Sequence, residues 1–252
     1  MSSELTMNRF TEFELVKQQL TPIAGYWAYP LVSLEQALAP LSSKINELDR
    51  SIKEVKKHCV CRSEYGLTLD ESAALFLYTM EAGKSSFYRI LNKTLRNEDR
   101  SQAIEWFHYL KLFDTALRKL PSKNGCIWRG VSGDLSKYYN ENDIITWWSI
   151  TSCSLSAKES ERFLVPGGAS TLFMIECVNG KNISGYSIYP NENEIVLGIG
   201  SKFRVISNAL KHGKLNVVHL KELESNGTEN VSNESSEPNG ASVSLNKRVC
   251  SK

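Results

Sequence analysis

The spacing of the apolar residues changes at Pro121, and this change constrains the fold more than any other feature of the chain. Before Pro121, apolar residues recur every three or four positions, which is typical of helices with one buried face. One such stripe contains Leu31, Leu34, Leu38, Leu41, Ile45, Leu48, Ile52 and Val55. After Pro121, β-branched and aromatic runs are separated by turn residues, and these runs are CIWRGV, IITWWSIT, STLFMIECV, EIVLGI, KFRVISNAL and LNVVHLKEL. Because helices precede strands and do not alternate with them, we predict an α+β fold in which an N-terminal helical region packs against a mainly antiparallel sheet.

Local signals place the ends of several predicted helices. The segment TEFELVKQQL is predicted to form a helix that Pro22 ends. Pro40 divides the long apolar stripe into two helices, because proline disrupts a helix interior. Thr68 and Glu71 have the spacing of a capping box, so the next helix is predicted to begin near residue 69.

The length of 252 residues allows one large domain or a domain with an appendage. We predict that residues 1–120 form a helical part and residues 121–223 a strand-rich core. Residues 224–252 contain no aromatic side chain and are rich in Ser, Asn, Glu and Gly. Because such a segment buries too little apolar area to offset the entropy of ordering it, we predict a disordered tail.

The composition indicates a globular protein and argues against several classes of partner. The chain is 41% hydrophobic and 23% charged, and its 30 basic and 28 acidic residues are interleaved. We therefore expect no nucleic-acid partner, because such binding needs clustered Lys and Arg. There is no signal pattern and no apolar run long enough to span a membrane, so we expect a soluble protein that is cytoplasmic or otherwise intracellular. We also expect a monomer. The six cysteines lack paired metal-ligand spacing, so we expect reduced thiols and no metal.

Three polar elements lie within the strand-rich part, and the first contains Trp128, Arg129 and Gly130. An arginine in a strand can hold a phosphate through two parallel hydrogen bonds, and the following glycine lets backbone approach closely. A surface arginine that pairs with an arbitrary carboxylate is the alternative interpretation. Taken alone, this element favours the surface arginine.

The second and third elements supply hydroxyl and carboxylate groups. Ser152 and Ser154 lie two positions apart, so both point to one face of a strand, where a hydroxyl can hold a sugar or orient a carboxylate. Glu192 and Glu194 are also two apart, and in an extended segment both carboxylates would lie on one side. In sugar-transfer chemistry, one carboxylate stabilises a cationic centre while another handles a proton. Polar strand-end residues and solvated glutamates remain the alternatives.

Together the three elements resemble the arginine-specific mono-ADP-ribosyltransferases, whose signature is an arginine strand, a serine strand and a Glu-x-Glu turn. The resemblance covers most of residues 20–222 and is nearest to members from rotifers and other invertebrates. The segments that resemble that group are TPIAGYWAYPLVSLEQAL, LTLDESAALFLYTME, LKLFDTALRKLP, WRGVSGDLSKYY, WWSITSCS and GYSIYPNENEIVL. The resemblance implies a split β-sheet core and NAD as a substrate, with no metal.

The resemblance also implies a role for each signature residue. Arg129 would hold the NAD phosphates and the adenosine-side ribose, and Ser152 would position the nicotinamide ribose and the catalytic glutamate. Glu194 would bind the 2′-hydroxyl of that ribose and stabilise positive charge as the bond to nicotinamide breaks. Glu192 would orient or deprotonate the acceptor guanidinium, so the partner would be a protein with an accessible arginine.

Several assignments within this resemblance stay open. The serine motif is aligned with Ser152, Cys153 and Ser154, although Ser149 and Thr151 offer another alignment. Trp128 stands where the family usually has a tyrosine before the arginine, so an aromatic side chain still lines the expected site. Gly130 and Ser154 complete the expected NAD contacts. Phe173 and Phe203 lie in strands that could flank the nicotinamide, but core packing is the favoured role for each.

Three functions are compatible with these residues. An arginine ADP-ribosyltransferase is the first. An NAD glycohydrolase is the second, because water would attack the same stabilised ribosyl cation. The third is a catalytically silent NAD-binding module that keeps the fold. The intact set of Arg129, Ser152, Glu192 and Glu194 favours the first.

Overall fold

The computed structural model describes residues 20–59, 63–82, 86–161, 164 and 167–224. Most of its helices precede the first strand. The helices before the first strand are α1 (Leu34–Leu38), α2 (Leu48–His58), α3 (Leu69–Thr79), α4 (Phe87–Leu95) and α5 (Phe107–Lys119). A short α6 (Ala157–Glu161) lies between two strands, and a 3-10 helix (Arg100–Trp106) leads into α5. The helix predicted for residues 11–20 and the tail predicted from residue 224 lie outside the described residues, apart from their end positions 20 and 224.

Seven strands of the described residues form one sheet in the order β1-β3-β5-β4-β7-β6-β2. Their bounds are β1 (Ser122–Ser132), β2 (Ile144–Trp147), β3 (Thr151–Ser154), β4 (Ser170–Asn182), β5 (Glu194–Leu197), β6 (Ser201–His212) and β7 (Leu215–Glu222). β4 and β7 are parallel, whereas the other pairings are antiparallel. The predicted α+β fold with a mainly antiparallel sheet is therefore confirmed.

The sheet is split because the short β3–β5 ribbon is joined to the long strands only at its edges. β3 pairs with β1 at one position, Trp128 with Ser154. β5 pairs with the last two residues of β4, Lys181 and Asn182. β1 and β4, by contrast, pair along most of their length. The ribbon can therefore take its own orientation while the long strands stay continuous.

The predicted helix boundaries agree with the structure where local chemistry sets them. α3 begins at Leu69, and the capping box is formed: the Thr68 hydroxyl accepts the Glu71 N–H, and the Glu71 carboxylate accepts the Thr68 N–H at 2.7 Å. α1 ends at Leu38, just before Pro40. The change from helix to strand at Pro121 is also confirmed, since α5 ends at Lys119 and β1 begins at Ser122.

The interpretation of IITWWSIT as one strand was wrong. β2 ends at Trp147 and pairs with β6, whereas β3 begins at Thr151 and pairs with β5. Between them, the backbone N–H and C=O of Ile150 bond to the side chain of Asn92 on α4 and not to a neighbouring strand. A continuous β-branched and aromatic run therefore crosses from one edge of the sheet to the ribbon.

Two hydrophobic cores lie on the two sides of the β3–β5 ribbon. Ile150, next to β3, and Val196 of β5 belong to the core that the helices form. Cys153 and Ile195 belong to the core inside the sheet. Because successive strand residues face opposite sides, the ribbon is covered on both faces. Polar residues on this ribbon are consequently buried.

Gly130 allows α6 to pack directly against β1. A Cβ atom at this position would lie 2.7 Å from the Ser160 carbonyl oxygen and 2.7 Å from Cδ2 of Leu164. Both distances are shorter than real Cβ contacts, and the carbonyl belongs to the backbone of α6. The close backbone approach that the sequence led us to expect at this glycine is thus an approach of α6.

We expect Gly130→Ala to destabilise the protein by about 1–3 kcal/mol, because the added methyl group forces α6 away from β1. Thermal unfolding measures the effect, at roughly 2–4 °C per kcal/mol for a chain of this size. Gly198→Ala is the matched control, because a Cβ there meets no atom within 4 Å. Equal melting temperatures for the two variants would contradict the packing described.

Candidate active site

Strand pairing brings the three polar elements of the sequence into one row across the ribbon. Trp128 of β1 is the register partner of Ser154 on β3, and Ser154 is the partner of Glu194 on β5. Because neighbouring strands lie roughly 4.8 Å apart, the outer two Cα atoms of this row are about 10 Å apart. Arg129 directly follows the first member of the row. The arginine, serine and glutamate elements therefore meet at one place in the fold.

Arg129 is buried, with 4% of its surface exposed, and its guanidinium bonds to the neighbouring strand. Nη1 donates to the carbonyl oxygen of Ser152 at 2.7 Å. A hydrogen bond from a charged donor is stronger than a neutral one, and it fixes the plane of the guanidinium. Arg129 is therefore held toward β3 and not extended into solvent.

The serine pair lies on the side of the ribbon that also contains Glu194. Ser152 and Ser154 are both buried, and side chains of directly opposed strand residues point to the same face. Thr151 falls on the opposite face by strand alternation. The Ser152 hydroxyl lies 3.0 Å from the Tyr78 hydroxyl of α3.

The two glutamates have different environments. Glu194 is the first residue of β5 and is fully buried, and its carbonyl oxygen accepts the Ile183 N–H at 3.0 Å. Glu192 is half-buried and ends a 3-10 helix (Pro190–Glu192). One carboxylate is therefore enclosed by the fold, whereas the other lies at its surface.

The Glu-x-Glu segment forms a turn and not an extended strand. Asn193, between the two glutamates, has φ of 48° and adopts the left-handed conformation. Asparagine tolerates this conformation better than most residues, and Pro190 favours the first turn of a helix. The backbone therefore turns sharply before Glu194 enters β5.

The remaining predicted NAD contacts have distinct positions. Trp128 is half-buried on the face that Ser154 shares, and Gly130 lies beneath α6. Phe173 is a core residue: it is 2% exposed and its ring lies 4.9 Å from that of Tyr139. Phe203 is likewise in the core of the sheet. Both rings therefore pack in the core of the sheet, and a place for either beside the nicotinamide stays a prediction.

Two polar residues beside the row were not predicted from the sequence to belong to the site. Tyr78 and Asn92 are buried in α3 and α4, at 0% and 2% exposure, and both contact the segment that leads into β3. Their signal in the sequence is weak, because a hydroxyl or amide within an apolar helix marks no particular partner. A buried asparagine nevertheless requires hydrogen-bond partners, and this requirement could have drawn attention to Asn92.

The four cysteines in the described part of the chain are free thiols. Cys59, Cys126, Cys153 and Cys177 are free, and Cys61 and Cys250 lie outside the described residues. Burial raises the pKa of the Cys59 and Cys177 thiols to about 11, so both are protonated at neutral pH. The described residues contain no group of three or more His, Cys, Asp and Glu side chains arranged for a metal ion.

None of the helices in the described ranges has the length and apolar character needed to cross a membrane.

The chain is similar in sequence to curated arginine ADP-ribosyltransferases. The chain is 32% identical over 148 residues to the putative NAD(+)--arginine ADP-ribosyltransferase Mav of Mycobacterium avium (strain 104), a match that covers 57% of this chain and 17% of that protein. It is 28% identical over 163 residues to the erythroblast NAD(P)(+)--arginine ADP-ribosyltransferase of Gallus gallus, covering 59% of this chain and 50% of that protein. The matched regions thus span half or less of these curated relatives.

The solved structure of Vis, an ADP-ribosyltransferase toxin from Vibrio splendidus, in complex with agmatine has the same fold. It superposes with a TM-score of 0.54 and 21% identity, and the match covers 81% of this chain and 93% of that one. The family model for NAD:arginine ADP-ribosyltransferases matches residues 31–228, which include every member of the row. The chain therefore belongs to the NAD:arginine ADP-ribosyltransferase family.

Proposed function

We propose that the protein transfers ADP-ribose from NAD to the guanidinium group of protein arginine residues and releases nicotinamide. The observation that supports this most directly is the Trp128–Ser154–Glu194 row, with Arg129 and Ser152 bonded beside it. Family membership supports the same substrate and the same acceptor. In this reaction the bond from nicotinamide to C1′ of the ribose breaks, and nicotinamide leaves with the electron pair. A guanidine nitrogen then bonds to C1′ and loses one proton.

Each residue of the site has a proposed task in that reaction. Arg129 binds the phosphates of NAD, because a buried guanidinium held by a carbonyl oxygen is oriented before the substrate arrives. Glu194, fully buried, stabilises the positive charge that develops at the ribose, since a carboxylate acts more strongly where water is excluded. Ser152 orients the ribose and Glu194, from the same face of the ribbon. Ser154 and Trp128 line the site, and this geometry favours Ser152 over Ser149 and Thr151 as the first serine of the motif.

Glu192 is proposed to act on the acceptor. Its half-exposed position, on the turn just before β5, lets a guanidinium from another protein reach it, whereas Glu194 is enclosed. A carboxylate binds a guanidinium through two parallel hydrogen bonds and can accept the proton lost on transfer. The acceptor is therefore a protein with an accessible arginine side chain.

Incubation with NAD and agmatine, a small guanidine, tests the proposal. We expect ADP-ribosyl-agmatine and nicotinamide to form in equal amounts, as measured by mass spectrometry and chromatography. Nicotinamide and free ADP-ribose without the adduct would instead identify an NAD glycohydrolase. Calorimetric binding of NAD with no turnover would identify a silent NAD-binding module.

A further inference from the structure

The segment that leads into β3 is anchored from the helical side by buried hydrogen bonds. The Asn92 side chain accepts the Ile150 N–H at 3.1 Å and donates to the Ile150 carbonyl oxygen at 3.0 Å. The Tyr78 hydroxyl lies 3.3 Å from the same carbonyl oxygen. The two Asn92 hydrogen bonds fix the backbone two residues before Ser152 against α4, and the Tyr78 hydroxyl of α3 lies beside it.

Tyr78 also reaches the proposed catalytic serine itself. Its hydroxyl lies 3.0 Å from the Ser152 hydroxyl, closer than it lies to the Ile150 carbonyl. A tyrosine hydroxyl has one proton to donate, and so does a serine hydroxyl. If Tyr78 donates to Ser152 Oγ, the Ser152 proton is left for a carboxylate or a ribose hydroxyl. The single Tyr78 proton can go to one of two acceptors, and Ser152 Oγ at 3.0 Å is nearer than the Ile150 carbonyl oxygen at 3.3 Å. Donation to Ser152 is the direction on which the inference rests.

We propose that Tyr78 is a positioning residue for ADP-ribose transfer: it donates a hydrogen bond to Ser152 and directs the serine proton into the active site. The inference rests on the proposed function, because it requires Ser152 to act in the reaction. Tyr78 itself does not touch the substrate. Its full burial and its ring packing, with Phe113 at 5.4 Å, hold the hydroxyl in one place.

A double-mutant cycle with Ser152 tests this role. We expect Tyr78→Phe to keep the ring packing and to lower kcat for transfer to agmatine about tenfold, with KM for NAD changed less than about twofold. If Tyr78 acts through Ser152, adding Tyr78→Phe to Ser152→Ala produces no further loss. A purely structural role would lower kcat by the same factor in both backgrounds, and that result would overturn the proposal.

Tyr109→Phe is the matched control. Tyr109 is fully buried on α5, and its hydroxyl donates to the Ala74 carbonyl oxygen of α3 at 3.0 Å, so the variant loses one comparable hydrogen bond away from β3. We expect it to keep wild-type kcat, and a loss equal to that of Tyr78→Phe would overturn the positioning role. If Ser152→Ala leaves transfer unchanged, the proposed task of Ser152 fails. If Ser152→Ala is impaired but Tyr78→Phe is not, only the present inference fails.

Discussion

Glu194→Gln is expected to lower kcat for ADP-ribose transfer by about 10²–10³-fold while the protein remains folded. Glutamine has nearly the shape of glutamate, so the first position of β5 stays filled. The amide has no negative charge, however, and cannot stabilise the cationic ribose as the bond to nicotinamide breaks. Hydrolysis of NAD should fall by a similar factor, because both reactions pass through the same cation. The rates of nicotinamide release, with and without agmatine, measure the two losses.

Glu222→Gln provides the matched control for this variant. Glu222 is also buried, at 5% exposure, but it lies on β7 and accepts the N–H groups of Val178 and Asn179 at 2.6 and 2.9 Å. Its replacement removes a buried carboxylate without touching the proposed site. We expect lower thermal stability and unchanged kcat. Full transfer activity in folded Glu194→Gln would end the assignment of Glu194 as the catalytic glutamate.

Features that depend on neighbouring residues in the chain were predictable from the sequence. The capping box joins Thr68 and Glu71, three positions apart, and it set the start of α3. Pro121 separates helix from strand because proline cannot continue a helix, whatever lies around it. The order of helices and strands gave the α+β class for the same reason. Interactions between residues close in sequence can therefore be predicted without knowledge of the tertiary structure.

Features that depend on distant contacts were not predictable in this way. The Tyr78 hydroxyl meets Ser152 across 74 positions, and no local pattern marks that pair. Asn92 takes the place of a neighbouring strand at Ile150, which is why IITWWSIT divides into β2 and β3. The resemblance to a family located the signature residues, but it gave no information on the side chains behind them.

The turn between the glutamates is an intermediate case. Pro190 and Asn193 both indicate a departure from extended backbone, and a spacing of two predicts a shared face only within a strand. The left-handed Asn193 places Glu192 in a 3-10 helix at the surface and Glu194 in a buried strand. This difference in burial suits two different tasks better than a matched pair of carboxylates would.

Glu192→Gln is therefore expected to separate transfer from hydrolysis. Transfer to agmatine should fall about 100-fold, because the amide neither attracts the guanidinium strongly nor accepts its proton. Hydrolysis of NAD in the absence of agmatine should change less than about threefold, since Glu194 still stabilises the ribosyl cation. The ratio of ADP-ribosyl-agmatine to free ADP-ribose, measured by chromatography, reports directly how far transfer and hydrolysis have been separated.

The control for Glu192→Gln must remove the same charge elsewhere on the surface. Glu176→Gln does so on β4, where the carboxylate pairs with His219 at 2.7 Å, away from β5. We expect this control to leave both rates unchanged, which would exclude a general effect of net charge on the binding of cationic agmatine. Equal losses of transfer and hydrolysis in Glu192→Gln would show that Glu192 serves the NAD-cleaving step, and its role toward the acceptor would then have to be abandoned. Because Glu192 is half-exposed, a failure of folding is not expected to obscure either result.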